Sequence, residues 1–244
     1  MAFALTMLGQ FLEYSVASRP LAASFELLES LGFESIPVGD TLPDPYLVYF
    51  DGSVAIGLHD RAQQGPQLTF VRPGLRDYVR PLRRLGVTLS HERLRDTEFN
   101  SIGFVDPGGQ EVVLLEARTF PPGERDPNNM AICGDFFELS VPATDLDASS
   151  RFWRALGLAD VASGETPHRW RRLEGHGLTL GLHEVRCRPG LSFRCHDLGA
   201  RVAYLNAKGF SARTGTPLAD RGQPSATLSG LEGTDFYLFE TGAL

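Results

Sequence analysis

Apolar and polar positions along the chain form a pattern that restarts four times. Over residues 11–16 (FLEYSV) they alternate, as a half-buried strand requires. Leu21, Phe25, Leu28 and Leu31 then recur at helical spacing, and Gly32 stops the run. Three short strand-like runs follow, residues 33–38, 46–50 and 54–59, separated by the turn formers Pro43, Asp44, Pro45, Asp51 and Gly52. The unit is βαβββ. It begins again at residues 67–71, with a predicted helix over 75–86 and strands over 88–94, 100–105 and 111–116. The turn Asp106-Pro107-Gly108-Gly109 precedes the last of these. A third unit occupies residues 135–183, with its helix over 146–157, and a fourth occupies 191–239, with its helix over 198–209.

The four units form two pairs. Residues 11–16 recur as 136–141 (FFELSV), 55–60 as 179–184, and 68–70 as 191–193, at an offset of 123 to 125 residues throughout. Register held over separate landmarks marks an internal duplication. The expected organisation is a first domain over 1–118, a linker over 119–133 rich in Pro, Asn and charge, and a second domain over 134–244. A four-stranded sheet covered by its own helix on one face must bury or use the other. Pairing two such sheets edge to edge gives a curved, open sheet around a cleft, a natural small-molecule site. The fold class expected is α+β, with curved mixed sheets.

Composition narrows the function. Net charge is −7 and pI about 5.4, which argues against nucleic acid or an acidic membrane as partner. No apolar run is long enough to span a bilayer, and no signal peptide is read at the N-terminus. Cys133, Cys187 and Cys195 form neither a metal-type pair nor an even disulfide set, so a reducing cytoplasm is the expected location. There is no P-loop, no dinucleotide fingerprint and no nucleophile elbow.

The order βαβββ four times, the helix endings LGF, LGV, LGL and KGF, and the Asp-Pro-Gly-Gly turn resemble the vicinal oxygen chelate superfamily. That superfamily includes glyoxalase I, extradiol ring-cleavage dioxygenases, fosfomycin-resistance transferases and bleomycin-binding resistance proteins. The resemblance implies two glyoxalase-like domains. In the family's enzymes, His, Gln or Glu side chains on the first and last strands of each unit hold a divalent metal in the cleft. Carried over position by position, those places hold Glu13, Gly57, Gln67 and Val113 in the first pair, and Glu138, Gly181, Gly190 and Tyr237 in the second. Glycine and valine offer no side-chain ligand. No metal ligand is therefore assigned and no cofactor is expected. A divalent metal enters only if the strands slip by two residues, which brings His59 or His183 onto the ligand face.

The candidate catalytic residues are Glu13, His59, Glu138 and His183; Gln67 and Tyr237 join them as candidate ligand-binding groups. His59 and His183 end matched GLH segments followed by an acid. Each either sits on the rim or works as a base beside a carboxylate. Glu13 and Glu138 either line the cleft or lie on a wet sheet face. Tyr46 and Trp170 are read first as core. Three functions follow. The first is a glyoxalase/bleomycin-resistance-like protein that binds a small molecule without a catalytic metal. The second is an enzyme of the same superfamily, a lyase, isomerase or dioxygenase. The third is a structural or interaction protein with decayed clefts. The chain is expected to be a monomer or homodimer.

Overall fold

The computed structural model describes residues 7–37, 45–95, 100–116, 131–220 and 222–241. The first half runs β1 (Gln10–Ala17), α1 (Leu21–Ser30), β2 (Glu34–Ile36), β3 (Tyr46–Phe50), β4 (Ala55–His59), β5 (Gln67–Val71), a 3-10 turn (Leu75–Tyr78), α2 (Val79–Arg84), β6 (Leu89–Arg93), β7 (Ser101–Val105) and β8 (Glu111–Leu115). The second half runs β9 (Asp135–Pro142), α3 (Leu146–Ala155), β10 (Ala159–Gly164), β11 (Trp170–Gly175), β12 (Leu178–His183), β13 (Gly190–Cys195), α4 (Leu198–Ala207), β14 (Ala212–Thr214), β15 (Ser225–Leu231) and β16 (Thr234–Glu240).

Each half forms one open eight-stranded sheet, and the two sheets have the same order: β2-β3-β4-β1-β5-β8-β7-β6 and β10-β11-β12-β9-β13-β16-β15-β14. The first strands of paired units, β1 with β5 and β9 with β13, run antiparallel at the centre. Each is flanked by the last strand of its own unit in parallel: β4, β8, β12 and β16. The α+β reading with mixed sheets and paired βαβββ units therefore holds.

The alternation of β1 and β9 sorts the two faces. Tyr14, Val16, Leu139 and Val141 are fully buried in a core that the helices cover. Glu13, Ser15, Glu138 and Ser140 point to the helix-free face, and they are buried too. Polar side chains buried away from any helix show that each sheet curls over them into a cleft. α3 starts where Asp145 accepts the Ala148 N–H at 2.8 Å.

The core is continuous between the halves. Trp153 of α3 is fully buried and donates its indole N–H to Asp106 Oδ2 in the Asp-Pro-Gly-Gly turn, at 2.9 Å. Burial pushes the Asp106 carboxyl up, and hydrogen bonds from Gln110 and Trp153 pull it back. The matching contact uses α1, whose Leu27 leaves no room for a side chain at Gly230 in the β15–β16 turn region. Each half thus sends a helix against a turn of the other. The Tyr14 hydroxyl meets Thr234 Oγ1 at 3.2 Å, and the Ile132 N–H donates to the Leu31 carbonyl at 2.7 Å.

Three local expectations change. The helix expected over 75–86 divides into the 3-10 turn and α2. Pro81 has no N–H for the Asp77 carbonyl, so an unbroken α-helix through this point loses a bond. The central strands do not alternate cleanly, because bulges shift the register between Phe11 and Glu13 and between Ser192 and Phe193. Phe11 and Phe136 therefore turn to the core, edge-on to Phe70 and Phe193. Phe137, read from the sequence as core with Leu139, turns to the cleft beside Tyr237 and Phe239. Lastly, the expected linker at 119–130 lies outside the described residues, while its end is packed, with Ala131 and Cys133 buried.

Replacing Trp153 by Phe removes one of the donors to a buried carboxylate and leaves a cavity where the second ring of the indole stood. Urea denaturation is expected to show a loss of about 1–3 kcal/mol, typical of stranding a buried polar group.

Candidate functional site

Glu13 stands at the centre of the first cleft. Its carboxylate folds over Gly57 on the neighbouring strand, and a Cβ at Gly57 would collide with it. Glycine is required here for close approach. The Oε1 atom accepts from Ser15 Oγ at 2.6 Å and from His59 Nε2 at 2.7 Å. The Ser15 hydroxyl is in turn bonded to Thr69 Oγ1 at 2.7 Å, across the β1–β5 pair. His59 is 1% exposed and stacks on Tyr46, with ring centroids 5.6 Å apart and planes 6° from parallel. A carboxylate oxygen in this contact accepts, so His59 turns Nε2 to Glu13 and Nδ1 is its other ring nitrogen. Among the described residues Nδ1 is buried and has no hydrogen-bond partner.

The second cleft repeats this arrangement. The Glu138 carboxylate lies over Gly181. It accepts from Ser140 at 2.9 Å and from His183 Nε2 at 2.9 Å, and Ser140 meets Ser192 at 2.7 Å. Two additions distinguish it. The Arg172 Nε–H donates to Glu138 Oε2 at 2.6 Å, and His168 Nε2 and His183 Nδ1 are hydrogen-bonded to each other at 3.0 Å. Burial alone would raise the Glu138 carboxyl, but the bonds and charges of His183 and Arg172 hold it down at about 2. Burial, then the neighbouring His183 charge, lowers His168 to about 4, so it is neutral at pH 7. Both nitrogens of His183 are thus engaged, whereas His59 has one open.

The sequence candidates separate into two groups. Glu13 meets His59 and Glu138 meets His183, as two buried pairs. Gln67 lies two positions along β5 from Thr69, opposite Ser15 rather than Glu13. Its amide is committed, donating to Glu111 at 2.7 Å and accepting from Arg61 at 3.0 Å. Tyr237 is fully buried beneath Leu218, Ala219, Val185 and Cys187, and donates its hydroxyl to the Arg188 carbonyl at 2.8 Å. Tyr46 and Trp170, read first as core, lie beside the cleft histidines, opposite His59 and His183 in the ladder. Sequence reasoning missed Thr69, Arg172, His168 and Arg194. The first two follow from strand pairing. The others carried no signal, since neither has a counterpart of its type in the first half.

No family model matches the sequence, and no curated protein matches it. Among solved structures, a catechol 2,3-dioxygenase aligns over 96% of this chain and 88% of its own, at 13% identity and TM-score 0.58. The homoprotocatechuate 2,3-dioxygenase of Brevibacterium fuscum aligns over 95% and 71%, at 9% identity and TM-score 0.61. The 2,3-dioxygenase LapB of Pseudomonas sp. KL28 aligns over 97% and 94%, at 12% identity and TM-score 0.61. The chain has the vicinal oxygen chelate fold.

That result corrects the expectation of no cofactor. The solved structures named above are extradiol dioxygenases, and such enzymes use iron or manganese. The residues present here nevertheless do not fit the usual metal set. The positions carried over from the family resemblance include Gly57, Val113, Gly181 and Gly190, none of which offers a side-chain ligand. One oxygen of each cleft glutamate is already shared by a serine and a histidine. Among the described residues, no group of three or more His, Cys, Asp or Glu side chains is placed to hold a metal ion. None of the described helices is long and apolar enough to cross a membrane.

Two outcomes are expected. The ionised form of Glu138 stabilises the fold above its unfolded value of 4.5, and that contribution is lost as pH falls toward about 2. A pH series of melting temperatures should show a steep acid limb in this window, shallower in Glu138→Gln. Gly57→Ala should displace the Glu13 carboxylate and lower stability by about 1–3 kcal/mol in urea denaturation, as overpacking does.

Proposed function

We propose that the chain is an enzyme acting on a small molecule in the first cleft, with His59 as general base and Glu13 as the group that orients it. The observation that carries this reading is the His59 imidazole itself. One nitrogen is fixed by a buried carboxylate, and the other, Nδ1, has no hydrogen-bond partner among the described residues; in the neutral ring it offers a lone pair. A carboxylate behind an imidazole sets its tautomer and stabilises the imidazolium formed when it takes a proton. Structural likeness to dioxygenases favours catalysis over passive binding. It reverses the order in which the sequence alone places the two.

The step this pair supports is proton transfer at carbon. A substrate C–H next to a carbonyl gives its proton to His59 Nδ1, and the electron pair passes into the carbonyl as an enolate. Glu13 holds the imidazolium while the proton, exchangeable with solvent, returns to the same carbon. Ser15 and Thr69 keep the carboxylate in place. Closing the face around these groups strengthens each interaction by excluding water. In the second cleft the equivalent imidazole has no free nitrogen, so the base is assigned to the first.

The test is solvent-deuterium incorporation into a panel of small α-hydroxy ketones and α-keto acids, followed by mass spectrometry. Wild-type protein is expected to catalyse incorporation into at least one member. Glu13→Gln and His59→Gln should lower that rate by about 10²–10⁴-fold, the usual weight of a general base, with circular dichroism unchanged. A rate that survives both substitutions, or no incorporation across the panel, refutes the reading.

A further inference from the structure

The second cleft carries two arginines that the fold does not need. Arg172 on β11 pairs with Gly181, as Val48 on β3 pairs with Gly57. Arg194 on β13 pairs with Asp135, as Val71 on β5 pairs with Gln10. The first half fills both places with buried valine, 6% and 7% exposed. The duplication is thus an internal control: the same strands pack without a charge at either place.

Both arginines converge on one aromatic ring. The Arg172 guanidinium lies 5.1 Å from the centre of Phe137 and the Arg194 guanidinium 4.4 Å from it. Arg172 also lies 5.6 Å from the Trp170 ring. The bulge in β9 delivers Phe137 to this face. Arg172 uses its Nε on Glu138, and its terminal nitrogens make no hydrogen bond among the described residues. Arg194 is half-buried. Among the described residues it makes no hydrogen bond or ion pair, and Asp135, its cross-strand neighbour, is not within ion-pair distance. Guanidinium groups are seldom withdrawn from water without a carboxylate. Here two are withdrawn together and repel one another, with the single Glu138 between them.

We propose that this cleft binds a small monocarboxylate with an aromatic body, its carboxylate between Arg172 and Arg194 and its ring against Phe137 and Trp170. Two guanidinium groups beside one glutamate leave a surplus of positive charge, which an anion offsets. Planar guanidinium forks match a carboxylate in two parallel bonds. The aromatic walls supply the apolar contact. The site is separate from the His59–Glu13 pair and stands or falls independently of it.

Benzoate is the probe, with benzamide as its uncharged isostere and inorganic phosphate as a competing anion, each titrated calorimetrically into the full chain at low salt. Benzoate is expected to bind one to one, about tenfold or more tighter than benzamide and phosphate, and to weaken as sodium chloride rises. Arg194→Val, which installs the residue of the first half, should weaken benzoate at least about tenfold with an unchanged melting temperature, because Arg194 makes no bond for the fold to lose. Arg194→Lys should restore part of the affinity, keeping the charge without the fork. Equal binding of benzoate and benzamide, tighter binding of phosphate, no benzoate heat at millimolar concentration, or unchanged affinity in Arg194→Val would each overturn the proposal.

Discussion

The clefts are organised around the cost of burying a carboxylate. Glu13 and Glu138 are almost fully withdrawn from water, and a carboxylate so placed must find donors or lose its charge. The surrounding residues answer that requirement in the same way twice. A glycine on the adjacent strand makes room, a serine two residues along donates, and a histidine at the end of that strand closes the pair. The resemblance to metal-binding clefts and the difference from them share this origin. Where a ligand side chain would stand on the adjacent strand, its absence is what allows the glutamate to lie down and bond within the protein.

The two copies have resolved this constraint differently. In the second, an arginine and a further histidine complete the set, and the carboxyl is held far below its ordinary value. In the first, the set stops at the histidine, and one imidazole nitrogen is left over. A fully satisfied polar network rigidifies a site. The same strands thus hold one imidazole bonded at both nitrogens and one with a nitrogen unpartnered among the described residues. Arg194 adds a second guanidinium beside Arg172 in the cleft of the former.

Much of this was legible in the sequence. Repetition gave the unit, period-two alternation placed Glu13 and Ser15 on one face, and glycine at matched positions pointed to close approach beside the GLH histidines. What escaped was non-local or irregular. A bulge inserts a residue without changing composition, so Phe136 and Phe137 exchanged faces unseen. Trp170 reads as core and Arg172 carries no sequence signal until strand pairing sets them beside His183 and Gly181. Gln67 was placed by likeness to a family position; its partners Arg61 and Glu111 come from a loop and a distant strand. Tyr237 is covered by loops whose path no periodicity encodes.

The exchange of helices between the halves has a consequence beyond packing. Trp153 of the second half completes the hydrogen bonding of a turn in the first, and Leu27 of the first half sits on a turn of the second, so the apolar interior passes from one sheet to the other without a break. Neither half is complete without its neighbour, and the chain is expected to melt in a single cooperative transition. Two chemically different clefts therefore draw on one common unfolding free energy. A molecule held tightly in either cleft adds its binding free energy to the whole, and so protects the opposite cleft from opening although the two share no wall.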